Sequence, residues 1–206
     1  MDQLNQIVNT IALTMGVGWA SGINLYAALF MLGILGATGN VVLPPELMVL
    51  TSPLVLFAAA VMYLIEFFAD KIPGVDSGWD ALHTFIRIPA GAILAAGVAG
   101  TASPALVTAA ALLGGGLATL SHATKAGTRV FINTSPEPFT NWTASVTEDA
   151  MVIGGIWAAL HHPWLFLALV LVFIILSIWL LPKLWRFIKK VFTFIGRLFR
   201  QGTVAP

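Results

Sequence analysis

The sequence predicts an all-α, polytopic helical membrane protein, and three observations carry that reading. Of its 206 residues, 58% are apolar and 9% charged, whereas a soluble domain averages about 25% charged. Mean hydropathy is +0.92. The apolar residues lie in long stretches parted by glycine and proline breaks, the pattern of helices long enough to cross hydrocarbon. The net charge of +1 gives no steering toward nucleic acid. The absence of cysteine excludes disulfides, thiolate metal sites and cysteine nucleophiles. The length suits one domain. The opening MDQLNQ lacks the basic start of a signal peptide, so the chain is expected to keep it.

Taken in order, residues 3–15 place Leu4, Ile7, Val8, Ile11 and Met15 on one face, as in a short helix lying among headgroups, a spacing that the end of a core helix shares. A first span follows over 18–38. Gly18 and Gly22 form a GxxxG pair that permits close approach of another helix, and Asn24 reads as an interhelical hydrogen bond. Residues 39–52 read as a loop. A second span starts at Pro53 and ends near Asp70 and Ile72, with Glu66 and Asp70 on one face of its last turn. Pro73-Gly74 breaks it, and Asp76 or Ser77 is expected to cap the next helix.

On that helix Asp76, Asp80, His83 and Arg87 fall at i, i+4, i+7 and i+11 and make one polar stripe. Pro89 is expected to kink the path. The apolar run 90–100 is too short to span alone, so the third span takes in part of the stripe and brings ionisable groups toward hydrocarbon. The fourth span runs over 104–120, with Gly114, Gly115 and Gly116 marking a tight crossing. His122, Lys125 and Arg129 extend it as a second stripe, and 133–143 reads as a loop. Glu148 and Asp149 open a fifth span that reaches residue 160, where two acids suit a helix N-terminus. His161-His162-Pro163 turns into a sixth span over 163–181. Residues 185–199 then form a basic amphipathic helix, with Trp185, Ile188, Phe192, Ile195 and Phe199 on its apolar face. The tail from residue 201 is expected to be loose.

Six spans make three hairpins, turning at Ser52-Pro53, Ser103-Pro104 and His162-Pro163, and suggest a weak threefold repeat. The domain expectation is a single membrane unit over 1–182 and a basic helix and tail over 183–206. All ten lysines and arginines fall on one side under this assignment. The positive-inside rule then sets both termini and both polar stretches in the cytoplasm.

The phrase ADKIPGVDSGWDALHTFIRIPAGA, with Ser21-Gly22 and Ser52-Pro53, resembles the signature of a bacterial membrane family known as domain-of-unknown-function family 4126. The resemblance covers residues 10–180. It implies a small multi-span protein of the bacterial inner membrane and supplies no reaction or substrate.

The leading functional expectation is a transporter or channel. Glu66, Asp70, Lys71, Asp76, Asp80, His83 and Arg87 would meet His122, Lys125, Arg129, Glu148 and Asp149 around a cytoplasm-facing cavity, because ionisable residues at membrane depth are functional candidates. The bases could hold a small anionic or lipid-linked substrate, with Arg87 gripping phosphate or carboxylate through two donors. The carboxylates and His83 could carry a coupled proton. A membrane assembly or interaction protein is the main alternative, built from the GxxxG pair, the glycine-rich spans and the basic tail. Divalent-cation transport would use Asp80 and His83 with the nearby acids, but Lys71 and Arg87 oppose it. A hydrolase would use the same pair, yet GxSxG, HExxH and nucleotide-loop motifs are absent, so an enzyme is the less expected class. No cofactor or resident metal is expected. Membrane lipids are the expected partners, a homo-oligomer is left open, and nucleic acid is excluded.

Overall fold

The computed structural model describes residues 2–134 and 138–201, excepting the side chains of 138, 192 and 194–201. Within these residues all regular structure is helical: α1 (Asp2–Ala37), a 3-10 helix (Pro45–Thr51), α2 (Pro53–Ala69), α3 (Val75–Ala99), α4 (Pro104–Ile132), α5 (Pro138–His161) and α6 (Pro163–Gln201). Proline opens α2, α4, α5 and α6, where its missing N–H would have no partner anyway and its fixed φ suits the first turn. Among the described residues, α1, α3, α4 and Pro163–Val191 of α6 are long and apolar enough to cross a membrane. The 3-10 helix and α2, bent by 69° at Ser52, add a fifth crossing if counted together.

The largest departure from expectation is in α1. Asn24 leaves the helical region, at φ −145° and ψ 96°, and its side-chain Oδ1 accepts from the N–H of Ala27 at 2.9 Å. That is an N-cap, so a new helix starts here. The neighbours on either side of Asn24 show that the chain doubles back. Gln6, Thr10 and Thr14 line one groove with Ala99, Ala102 and Leu106. Gly18 meets Gly114, and Gly22 meets Ala118 and Ser121. Residues 2–23 therefore run parallel to α4. Beyond the break, Tyr26 reaches His83, while Gly33 meets Leu50 and Gly36 meets Leu43 and Thr51. Residues 25–37 climb back to the end from which α1 started.

Three expectations change as a result. Residues 3–15 are the first turns of α1 and not a separate surface helix. The start of α1 lies at one end of the bundle and the last turns of α6 at the other, so the described chain does not begin and end on one side. Residues 18–38 are parts of two helical limbs and not one straight span. The remaining boundaries shift less. Residues 39–52 contain the 3-10 helix. α3 starts behind Gly74 (φ +86°), and Asp76 Oδ1 takes the N–H of Gly74 at 2.9 Å and of Ser77 at 2.6 Å. α3 passes through Pro89 without ending. α5 starts ten residues before Glu148, which puts both acids well inside that helix and not at its N-terminus. α6 is continuous through Pro182, and its turns at Leu184 and Phe187 pack on α4, against Gly127 and Phe131. Trp185 is exposed. The expected apolar-face residues Phe192, Ile195 and Phe199 have side chains outside the described residues, as does the tail beyond Gln201.

Close approach among α1, α3 and α4 organises the interior. A Cβ on Gly18 would sit 2.6 Å from Gly114 Cα, and one on Gly91 would sit 2.6 Å from Ala118 Cβ. The GxxxG pair thus works within the chain, and Gly114 marks the tight crossing expected of it. Around this seam Trp19 meets Phe166 and Phe173 edge-on, each at 6.1 Å between ring centres.

Gly18→Ala should destabilise the protein by about 1–3 kcal/mol, the usual cost of overpacking a closed contact. Gly116→Ala, which meets nothing within 4 Å, should be neutral or gain up to about 1 kcal/mol of helix propensity. Denaturant unfolding in detergent measures both, and equal effects would rule out the seam.

Candidate functional site

The two polar stripes close on each other near the break in α1. α2 brings Glu66 and, just past its end, Asp70; α3 brings Asp80 and Arg87; α4 brings Lys125 and Arg129; α5 brings Glu148. Arg87 Nη2 donates to Glu66 Oε1 at 2.6 Å and its Nη1 to Asp80 Oδ1 at 2.8 Å. Lys125 Nζ bonds Asp70 Oδ2 at 2.7 Å and lies 3.5–3.6 Å from Glu66, Asp80 and Glu148. Arg129 grips both oxygens of Glu148, Nε to Oε1 at 3.1 Å and Nη2 to Oε2 at 2.7 Å. Its remaining donors reach the carbonyls of Asp70 and Asn141 and the Asn141 side-chain oxygen.

These are buried ion pairs and not surface bridges. The side chains of Glu66, Asp70, Asp80, Arg87, Lys125 and Arg129 are at most 3% exposed, against 16% for Glu148. With a rise of about 1.5 Å per residue, Arg87 lies about 20 Å along α3 from the break at Gly100. A carboxylate or guanidinium at such depth is tolerated only when paired and hydrogen-bonded. Sharing supplies the pairing: each of the three bases serves at least two acids.

The α1 break is wired into the same network. Lys125 Nζ donates to the carbonyl of Ile23 at 3.0 Å, placing a cation on the C-terminal end of the first limb, where the helix dipole is negative. Asn24 Nδ2 donates to Asp149 Oδ1 at 2.8 Å while its oxygen caps the second limb. One residue therefore joins the fold-back to α5. Ser21 Oγ donates to the Arg87 carbonyl at 2.7 Å, two residues before Pro89.

The other expected site residues lie around this centre in distinct roles. Asp76 is fully buried but accepts from Asn133 Nδ2, at 2.7 and 2.9 Å, and from the N–H groups of Gly74 and Ser77, and lies 4.0 Å from Arg129. His83 turns away from Asp80: it stacks on Trp79 at 4.1 Å, with Nδ1 2.9 Å from the Trp79 carbonyl and Nε2 3.1 Å from Tyr26 Oη. His122 sits 2.7 Å from Thr84 Oγ1 and 3.3 Å from Arg87 Nη1. Lys71 points toward α5, donating to the Phe67 carbonyl at 2.9 Å and Ser145 Oγ at 3.2 Å, with its ammonium 2.9 Å above the Phe67 ring. Burial pushes that ammonium below the usual lysine range, against the pull of Asp149 and Asp70. Asp80 and His83 thus part, and among the described residues no group of three or more histidine or acidic side chains is placed to hold a metal. Asn24 as a helix break, Asn133, Asn141 and Ser145 are contributors that the sequence reading did not select; each is a polar residue of a mostly apolar bundle, and that was the available signal.

A family model described as "Domain of unknown function (DUF4126)" matches residues 11–183. The chain belongs to this family. The matched region takes in every helix that feeds the network. No curated protein and no solved structure matches the chain.

Arg87→Met strands Glu66 and Asp80 in the interior and should cost about 3–5 kcal/mol. Lys190→Met, on the exposed part of α6, should stay within about 0.5 kcal/mol. Unfolding of both variants in detergent tests this, and a mild Arg87 effect would mean that the interior network is not closed as described.

Proposed function

We propose that this protein is a membrane transporter that moves a small anionic or lipid-linked substrate together with protons. The observation that carries the reading is the break at Asn24. A helix interrupted at membrane depth, with a cation on one free end and an acid beside the other, is how many transporters build an ion or substrate site.

The network suggests how coupling would work. Six acids (Glu66, Asp70, Asp76, Asp80, Glu148 and Asp149) stand with four bases (Lys71, Arg87, Lys125 and Arg129), which leaves two carboxylates without a compensating charge. Protons are the simplest compensation in a medium that penalises net charge. The bases are already held by carboxylates, so an anion gains access only as a carboxylate lets go. Protonation of that carboxylate releases its base, and the anion and the proton therefore load together. Asp149 is well placed to hold one proton: its Oδ1 bonds the neutral Asn24 amide, and its buried Oδ2 has no protein partner.

In our reading the network end faces the cytoplasm of a bacterial inner membrane, because the exposed bases Lys183, Arg186, Lys189 and Lys190 lie there and the loops at 38–52, 100–104 and 161–163 carry none. Three hairpins that turn at Pro53, Pro104 and Pro163, joining the second limb of α1 to α2, α3 to α4 and α5 to α6, remain our proposal for the layout, with the first limb of α1 as an additional pass. The saturation of the bases also favours a second reading, a non-catalytic assembly protein whose network is a structural clasp.

The test is flux. Proteoliposomes holding an internal pH dye are given the acidic small-molecule fraction of a cytosolic extract. Wild type should show anion-driven internal acidification, and Asp80→Asn and Arg87→Ala should abolish it while remaining folded by near-UV circular dichroism. Folded variants with undiminished flux would remove the site assignment, and wild-type flux no greater than that of protein-free liposomes would favour the clasp.

A further inference from the structure

Glu148 differs from the rest of the buried network in one respect: its side chain is 16% exposed, where those of Glu66, Asp70 and Asp80 are at most 3%. It is exposed because it lines a groove of about 480 Å³ between the second half of α4 and the first half of α5. Those two helices touch sparsely. Ile132, Phe139 and Ala144 give the groove apolar wall, and Thr128, Thr143 and Thr147 add hydroxyls. Behind Glu148 stand Arg129 and Lys125. The groove is therefore greasy along its length and backed by two cations at one point, with a single carboxylate between.

The level of the groove bears on what fits it. Phe139 and Trp142 on the first turns of α5, and Phe131 at the end of α4, are all more than half exposed. A tryptophan at a helix end, as Trp142 is, marks the headgroup region of a bilayer. The groove thus opens sideways at the depth where lipid phosphates lie, with room for apolar chain alongside.

We propose that this groove is a lateral docking site for a lipid with an anionic phosphomonoester head, whose phosphate takes the place of the Glu148 carboxylate on Arg129. The two-point contact that Glu148 makes, through Nε and Nη2, is the geometry in which a guanidinium receives two phosphate oxygens. Glu148 acts as a plug: with its carboxylate in place the fork is filled, and once it is protonated or swung into the groove the fork and Lys125 face the incoming head. The inference rests on the network of the transporter reading and adds to it a lipid that enters from the bilayer.

Native mass spectrometry of the full-length protein, released from detergent in the presence of phosphatidic acid, phosphatidylcholine or inorganic phosphate, tests the proposal. Wild type should retain phosphatidic acid about tenfold better than phosphatidylcholine, the worth of one charge-assisted contact. Thr143→Trp fills the groove without touching the ion pairs and should reduce that preference to none while keeping the wild-type melting temperature. Glu148→Gln removes the competing carboxylate and should strengthen retention. Equal retention of the two lipids by wild type, an unchanged preference in Thr143→Trp, or inorganic phosphate displacing phosphatidic acid at equal concentration would each overturn it. Lipid preference with no anion-driven flux would defeat the transport reading alone and leave the lipid site standing.

Discussion

The position of Lys125 governs the rest of the structure. Its ammonium lies within 3.6 Å of four carboxylates drawn from α2, α3, α5 and the turn after α2, and it also holds the last carbonyl of the first limb of α1. A cation this deep is stable only while those partners stay. The partners can reach it only if α1, α3 and α4 approach more closely than side chains usually allow. The glycines at 18, 22, 91 and 114 provide that approach. Electrostatics in the inner half of the bundle and backbone packing in its middle are thus one constraint: a methyl group at the seam would lever apart the pairs below it.

The same constraint explains why α1 folds back. A straight α1 would carry its apolar second half beyond the network. At Asn24 the helix instead ends on a lysine and restarts on its own side-chain cap, with the amide nitrogen turned to Asp149. The free backbone groups that a break creates would be costly in hydrocarbon. Here they are met by groups that the network already contains, so the break and the network stabilise each other.

Helical periodicity made much of this site legible from the sequence. The 3.6-residue repeat put Asp80 in line with Arg87, and Lys125 with Arg129, and the scarcity of charge elsewhere marked these residues as a group. The close crossing at Gly114 was legible because glycine in a spanning helix is most readily explained by contact. Periodicity tells which side chains share a face and not where each one turns at the end of its reach. His83 lies on the stripe yet joins Trp79 and Tyr26, and Asp76 joins Asn133. The reversal at Asn24 was not legible, because one amide in an apolar run has the same appearance whether it bridges helices or ends one; here it does both. The same ambiguity moved Glu148 and Asp149 from an expected helix start to a helix interior.

Six acids share four bases in this network, so its pairing is uneven. A clasp would be best served by matched pairs with every oxygen engaged. In this interior Glu66 Oε2, Asp70 Oδ1, Asp80 Oδ2 and Asp149 Oδ2 are buried without a protein partner, as is Arg87 Nε. Each of these carboxylate oxygens can take up a proton or accept from a donor, and Arg87 Nε can donate to an oxygen, without breaking an existing bond. Polar groups of that kind, gathered beside an interrupted helix, are costly to keep buried without a partner, and on the proposed transport reading they are where exchange takes place. The partly exposed Glu148 stands apart from these acids, since it alone among those paired to Lys125 combines a two-point grip on an arginine with an open groove at its back.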